Sequence, residues 1–218
     1  RKILIFACLK VDSTMTQLLV KIFRGLIVLL SKLPLGFLYR VGDFFAWLAG
    51  KVLQYRSDIV WINISRSFPD KKYKELKAIY KDFYRHLGEL VAEFIWFGGS
   101  TFKSLRKKGI VRIANSQVLA DMREKSPSVT LLSTHCGNWE LLGGFLGYRT
   151  PSGVKVAIQE EEIRVVYKKL TNPVFDEVFK LNRVSALEKV GTSCEIESSN
   201  ILRHAVSSRG QRLVYIYP

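Results

Sequence analysis

The chain has 218 residues, 48% of them hydrophobic, and its 34 Lys and Arg against 19 Asp and Glu give a net charge of +15. That length suffices for one large domain or two small ones with a full core. The charge is uneven: residues 1–60 carry 9 Lys/Arg against 3 Asp/Glu, and residues 101–126 carry 7 against 2. Basic charge on an apolar background points to an anionic membrane surface, and no nucleic-acid recognition motif is present, so nucleic acid is excluded as a partner. The three cysteines, Cys8, Cys136 and Cys194, share no metal-ligand spacing and are odd in number. They imply a reducing compartment, with neither a disulfide framework nor a metal site.

Taken in order, residues 1–53 are apolar with sparse charges and are expected to form two amphipathic helices whose apolar faces lie against a membrane, cover the rest of the fold, or do both. The segment Leu33-Pro34-Leu35-Gly36 breaks them, and Phe37, Tyr39, Phe44, Phe45 and Trp47 are candidate anchors. No run reaches the charge-free length of a spanning helix. Arg56 to Arg66 reads as a short helix ending near Ser67-Phe68-Pro69. Asp70 is placed to cap the next one, in which Leu76, Ile79, Tyr80, Phe83, Leu87, Leu90, Val91 and Phe94 recur at helical spacing until Gly98-Gly99 stops it. A basic cluster follows (Lys103, Arg106, Lys107, Lys108, Arg112). It is either a solvated face or a patch for phosphates of lipid head groups or for an acidic carrier protein. Asn115 to Met122 reads as a helix leading into a buried strand at Val129–Leu132.

After the strand comes Ser133-Thr134-His135-Cys136-Gly137-Asn138-Trp139-Glu140. Gly137 and Asn138 end the strand, Asn138 is a good N-cap, and Trp139 to Tyr148 reads as a helix with Glu140 in its first turn. His135 then lies at the carboxyl end of a strand, where α/β sheets form ligand sites. A neutral imidazole can take a proton from an attacking hydroxyl, and a carboxylate on its other nitrogen fixes the tautomer. Cys136, on the opposite side of extended backbone from His135, is given a packing role. Val154–Gln159 reads as a second strand and Glu160-Glu161-Glu162 as an exposed turn. Thr171-Asn172-Pro173 starts a helix that runs to Arg183, Glu197 to Ser208 is another helix, and Leu213–Tyr217 is the third strand. This order fits an α/β sheet with helical cover. No Gly-rich phosphate loop is present, and no cofactor is expected.

Several blocks in sequence carry a resemblance. They are Tyr55-Arg56 with Asn63-Ile-Ser-Arg-Ser-Phe68-Pro69, then Phe83-Tyr84-Arg85-His86-Leu87 with Glu93, then His135 to Glu140 as a His-x4-Glu signature, and finally Val166-Tyr167, Asn172-Pro173 and Arg183. Together they resemble the lipid A biosynthesis (lauroyl/myristoyl) acyltransferases, within the wider lysophospholipid/glycerolipid acyltransferase superfamily, over most of the chain from about residue 22. The resemblance implies an α/β fold in which a helical, membrane-associated N-terminal segment (1–53) precedes a mixed sheet covered by helices (54–218). It implies transfer of a fatty acyl group from an acyl carrier protein thioester to a hydroxyl of a lipid A precursor or related glycolipid, at the cytoplasmic face of the bacterial inner membrane. By resemblance, His135, Glu140 and Arg183 are catalytic, and Gly137, Asn138, Tyr167 and Asn172 bind substrate. The family has a functional Asp just after a strand like Leu213–Tyr217, which has no counterpart before Pro218, so the acyltransferase domain is expected to be C-terminally incomplete. Two alternatives stay open: O-acylation of a lysophospholipid or another glycolipid, and a non-catalytic basic membrane-surface protein.

Overall fold

The computed structural model describes residues 13–134, 136–150 and 158–217. Helix α1 (Ser13–Leu30) and helix α2 (Leu35–Trp47) are separated where Pro34, lacking an N–H, sits at the N-cap of α2. Helix α2 runs on into a π-helical turn, Leu48–Val52, and α3 (Ser57–Ser67) follows. The long helix α4 (Tyr73–Gly98) begins later than Asp70 predicts. Its cap residue is Lys72, whose backbone N–H donates to the Glu75 carboxylate at 3.0 Å, half of a capping box. Helices α2 and α4 touch backbone to backbone. A Cβ on Gly42 would lie 2.4 Å from the Gly88 carbonyl oxygen, and one on Gly88 would lie 2.2 Å from that of Gly42. Ala46 and Ala92, one turn further on, continue this small-residue seam. No described helix is long and apolar enough to cross a membrane, and Lys21 and Arg24 interrupt α1.

Short helices α5 (Phe102–Lys108) and α6 (Ser116–Lys125) lead to the sheet. Its strands are β1 (Ser128–Leu132), β2 (Ile163–Tyr167), β3 (Glu195–Glu197) and β4 (Leu213–Tyr217), in the order β1-β4-β2-β3. The α/β class with helical cover is as expected from the sequence, and every described strand pair is parallel where a mixed sheet was expected. Other details also differ. The stretch from Trp139 to Gly147 is a 3-10 helix. Of the expected strand at 154–159, residues 154–157 lie outside the described residues and Ile158-Gln159 is not strand, so β2 starts only at Ile163. The helix expected from Glu197 shortens to α8 (Ile201–Ser207), because Glu195–Glu197 pairs with Val165–Tyr167 instead. Helix α7 (Pro173–Arg183) falls where the sequence places it.

Side chains alternate across the strands, so the parallel register sorts them onto two faces. One face, with Val129, Ile163, Val165, Val214 and Ile216, packs on Trp96 and Phe97 of α4 and Leu105 of α5 as the main core. The other, with Val166, Ile196, Leu213 and Tyr215, packs on Ile201 of α8. Ile196 belongs to the second face, which puts its neighbour Glu195 on the first, level with Val165 and on the same side as Tyr167.

Candidate active site

Helix α7 carries the central side chain. Its start is fixed by Asn172, whose Oδ1 accepts from the backbone N–H groups of Val174 (3.0 Å) and Phe175 (3.2 Å), with Pro173 in the first turn. Its far end is pinned to α4, since Asn182 Nδ2 donates to the Phe94 carbonyl at 3.0 Å and Ser185 Oγ to that of Phe97 at 3.0 Å. Val174 and Val178 pack on Val20 and Ile27 of α1. Arg183, in the last turn where a cation is favoured, therefore has a fixed origin. The 3-10 helix after β1 passes close beside it, and a Cβ on Gly143 would fall 1.9 Å from the Arg183 carbonyl oxygen.

This approach brings Glu140 onto the guanidinium. Arg183 Nε donates to Glu140 Oε2 at 2.8 Å and Nη2 to Oε1 at 3.0 Å, a two-pronged, charge-assisted contact. The third nitrogen, Nη1, donates to Glu195 Oε1 at 3.2 Å. The three side chains are largely shut off from solvent, at 10% exposed for Arg183, 13% for Glu140 and 3% for Glu195. Glu195 Oε2 is buried with no hydrogen-bond partner among the described residues. Burial alone would lower the Arg183 pKa, but the two carboxylates outweigh it and raise it. Burial pushes the Glu195 carboxyl up to about 7, against the pull of Arg183 and Lys180. The Tyr167 ring closes one side, with the Arg183 guanidinium carbon 5.7 Å and Lys180 Nζ 5.0 Å from its centroid. Asp176, 3.0 Å from Lys180 Nζ, takes part in holding Lys180 protonated well above its ordinary pKa although burial opposes it.

The family model described as bacterial lipid A biosynthesis acyltransferase matches residues 10–194. The chain belongs to this family. It is accordingly an O-acyltransferase of the lipid A type. The matched stretch contains Glu140, Tyr167 and Arg183 and ends one residue short of Glu195. No curated protein and no solved structure gives a significant match.

In this lipid A acyltransferase, Glu140, Tyr167 and Arg183 come together as one cluster. Asn172 does not join it: it caps the opposite end of α7, roughly 16 Å away along the helix from Arg183. His135 lies outside the described residues, between the end of β1 at Leu132 and the 3-10 helix from Trp139. Asn138 precedes that helix but makes no side-chain cap, and its Nδ2 is buried without a partner among the described residues. Gly137 takes φ +68°, with no described residue within 4 Å of where a Cβ would lie. Cys136 is exposed, contrary to its expected packing role. The residue the sequence did not flag is Glu195. Its one signal, the alternation Glu-Ile-Glu, spans three residues and is too short to be read as a strand. Among the described residues no group of His, Cys, Asp and Glu is placed to hold a metal ion.

Proposed function

We propose that this chain moves a fatty acyl group from an acyl carrier protein thioester to a hydroxyl of a lipid A precursor or related glycolipid. His135 is the general base. It takes the proton of the acceptor hydroxyl as that oxygen bonds to the thioester carbonyl carbon. The resulting oxyanion collapses, the C–S bond breaks, and the imidazolium returns the proton to the departing thiolate, with no acyl-enzyme. Glu140 orients His135 and stabilises its charged form. The observation that supports this most is the bidentate Arg183–Glu140 pair, which holds a carboxylate rigidly five residues after His135. A carboxylate has about four acceptor positions, so two arginine bonds leave room for an imidazole N–H. In this scheme Arg183 works through Glu140, whose position it sets, and Gly137, Asn138 and Tyr167 line the substrate side. Asn172 serves as the anchor of α7.

Residues 1–53 form the membrane-facing part and residues 54–218 the acyltransferase body, working at the cytoplasmic face of the inner membrane. Phe37, Phe44, Phe45 and Trp47 on α2 are exposed, as are Leu18, Ile22, Leu26 and Leu29 on α1, alongside Lys21, Lys32 and Arg40, a combination suited to an anionic bilayer surface. Tyr39 is not among these anchors, because its hydroxyl turns inward to Glu93 at 2.9 Å. The basic residues of α5 are exposed beside the 3-10 helix, with Arg106 donating to the Leu146 carbonyl at 3.3 Å, and they provide the positive surface for a phosphate-bearing acceptor or an acidic carrier. The test is acyl transfer from labelled carrier-protein thioester to a lipid A precursor. His135→Ala, shown to be folded, should lose about 10²- to 10⁴-fold in turnover. Undiminished turnover would remove His135 as base, and transfer only to lysophospholipids would reassign the acceptor.

A further inference from the structure

Glu195 is an unexpected residue to find against Arg183. One carboxylate suffices to neutralise a buried guanidinium, and Glu140 already engages it through two nitrogens. A second buried carboxylate on the third nitrogen adds a desolvation cost that a scaffold has no need of. Glu195 Oε2, without a partner among the described residues, adds to that cost. The backbone makes the placement firm. The β3 register with β2 sets Glu195 opposite Val165 on the face that also carries Tyr167. Cys194 beside it is buried and donates to the Gly191 carbonyl, which fixes the turn that enters the strand.

The charge balance suggests what the extra group does. A closed Glu140–Arg183 pair is neutral, so most of the field that Glu140 could exert on a base is cancelled by the guanidinium it binds. Adding Glu195 on the far side of Arg183 gives the cluster a net single negative charge when both carboxylates are ionised. Arg183 is then shared between two acids, and Glu140 keeps its field toward the base. The charged groups acting on Glu195 itself are Arg183, Lys180 and Glu177, all from α7.

We propose that Glu195 is a positioning residue of the acyl-transfer site, which acts through Arg183 to leave Glu140 electrostatically available to His135. This rests on the functional assignment above. The test compares wild type with Glu195→Gln, which keeps an acceptor for Arg183 Nη1 and removes only the charge. Two readouts are taken on folded protein: steady-state acyl transfer, and the titration of the His135 imidazole by NMR, assigned with His135→Ala among the 3 histidines. The expected result, read above about pH 8 where Glu195 is ionised, is a fall in kcat of about tenfold with KM little changed, together with a His135 titration midpoint lowered by up to about half a unit, because Glu195 itself titrates over the same range. In a His135→Ala background, adding Glu195→Gln should have no further effect on turnover. An unchanged midpoint and unchanged kcat in Glu195→Gln would overturn the proposal and leave Glu195 as a structural ion-pair partner. If Glu195→Gln does not fold, Glu195→Asp, which withdraws the charge by one methylene, should show the same two changes in smaller degree, and wild-type values in it overturn the proposal equally. Failure of the wild-type protein to transfer acyl groups would defeat the functional assignment instead, and the substrate-free imidazole titration would still decide the role of Glu195.

Discussion

Two buried arginines sit near opposite edges of the same sheet, and they are built differently. Arg123, 5% exposed, lies at the amino edge. It donates to the carbonyls of Pro127 at 2.6 Å and Leu213 at 3.4 Å, just ahead of β1 and at the start of β4, and meets Glu162 at 2.5 Å immediately before β2. One cation thus ties the starts of three strands together, with one carboxylate close against it. Arg183 lies beside Tyr167, the last residue of β2, donates through its guanidinium to no main-chain carbonyl among the described residues, and faces two carboxylates and that tyrosine ring. The first arrangement uses a guanidinium to satisfy backbone. The second concentrates charge where α/β sheets place their ligands. Burial and ion pairing by themselves therefore do not mark a site; the surplus carboxylate does.

The sharpest way to break the comparison is to remove each arginine. Arg183→Ala should destabilise by about 3–5 kcal/mol, because it strands the buried Glu195, and Arg123→Ala by about 1–3 kcal/mol, because the Pro127 and Leu213 carbonyls lose this donor while Glu162 keeps Arg212 and the Gln159 N–H, both measured by denaturant unfolding. Only Arg183→Ala should also lower kcat in the protein that remains folded, by about 100-fold or more; equal loss of kcat in both would erase the distinction. A smaller effect follows from Glu195. Its carboxyl is raised from 4.5 to about 7 by burial, so between those pH values the folded chain keeps a proton that the unfolded chain has released. Stability contributed by this group is present below the unfolded value, falls as pH rises through the window, and levels off above it, with a span of about 3 kcal/mol. The difference between wild-type and Glu195→Gln unfolding curves across that range should show the slope, and parallel curves would contradict it. Smallest is Gly143→Ala. The new Cβ meets the Arg183 carbonyl, and the 3-10 helix must shift at a cost of about 1–2 kcal/mol. Because that shift carries Glu140 away from Arg183, turnover should drop more than melting temperature suggests, whereas alanine at the solvent-open Gly36 of α2 should leave turnover unchanged.

The elements that were legible in the sequence are those whose signal is local. The break at Pro34, the periodicity of α4 and its stop at Gly98-Gly99, the start of α7 at Asn172-Pro173, and strands β1 and β4 all follow from spacing, capping chemistry or apolar runs a few residues long. Elements that depend on a neighbour carry no such local signal. Strand β3 is three residues with two glutamates, and only pairing with β2 makes it a strand. The stretch after Asn138 has the local pattern of a capped helix, yet Asn138 makes no side-chain cap and the segment winds as a 3-10 helix alongside α7.

Local pattern alone identifies a basic, apolar α/β chain with a His-x4-Glu motif just after a strand, and this is enough to point to the acyltransferase family. What surrounds Glu140 is set by contacts between distant parts of the chain. Arg183 is 43 residues away from it along the chain, and Glu195 is a further 12 from Arg183. Their meeting depends on three separate contacts: the parallel register of β2 with β3, the Asn182 and Ser185 bonds to α4, and the glycine that lets one helix touch another. None of these leaves a trace in local composition, because each is a property of two segments in contact and not of either one.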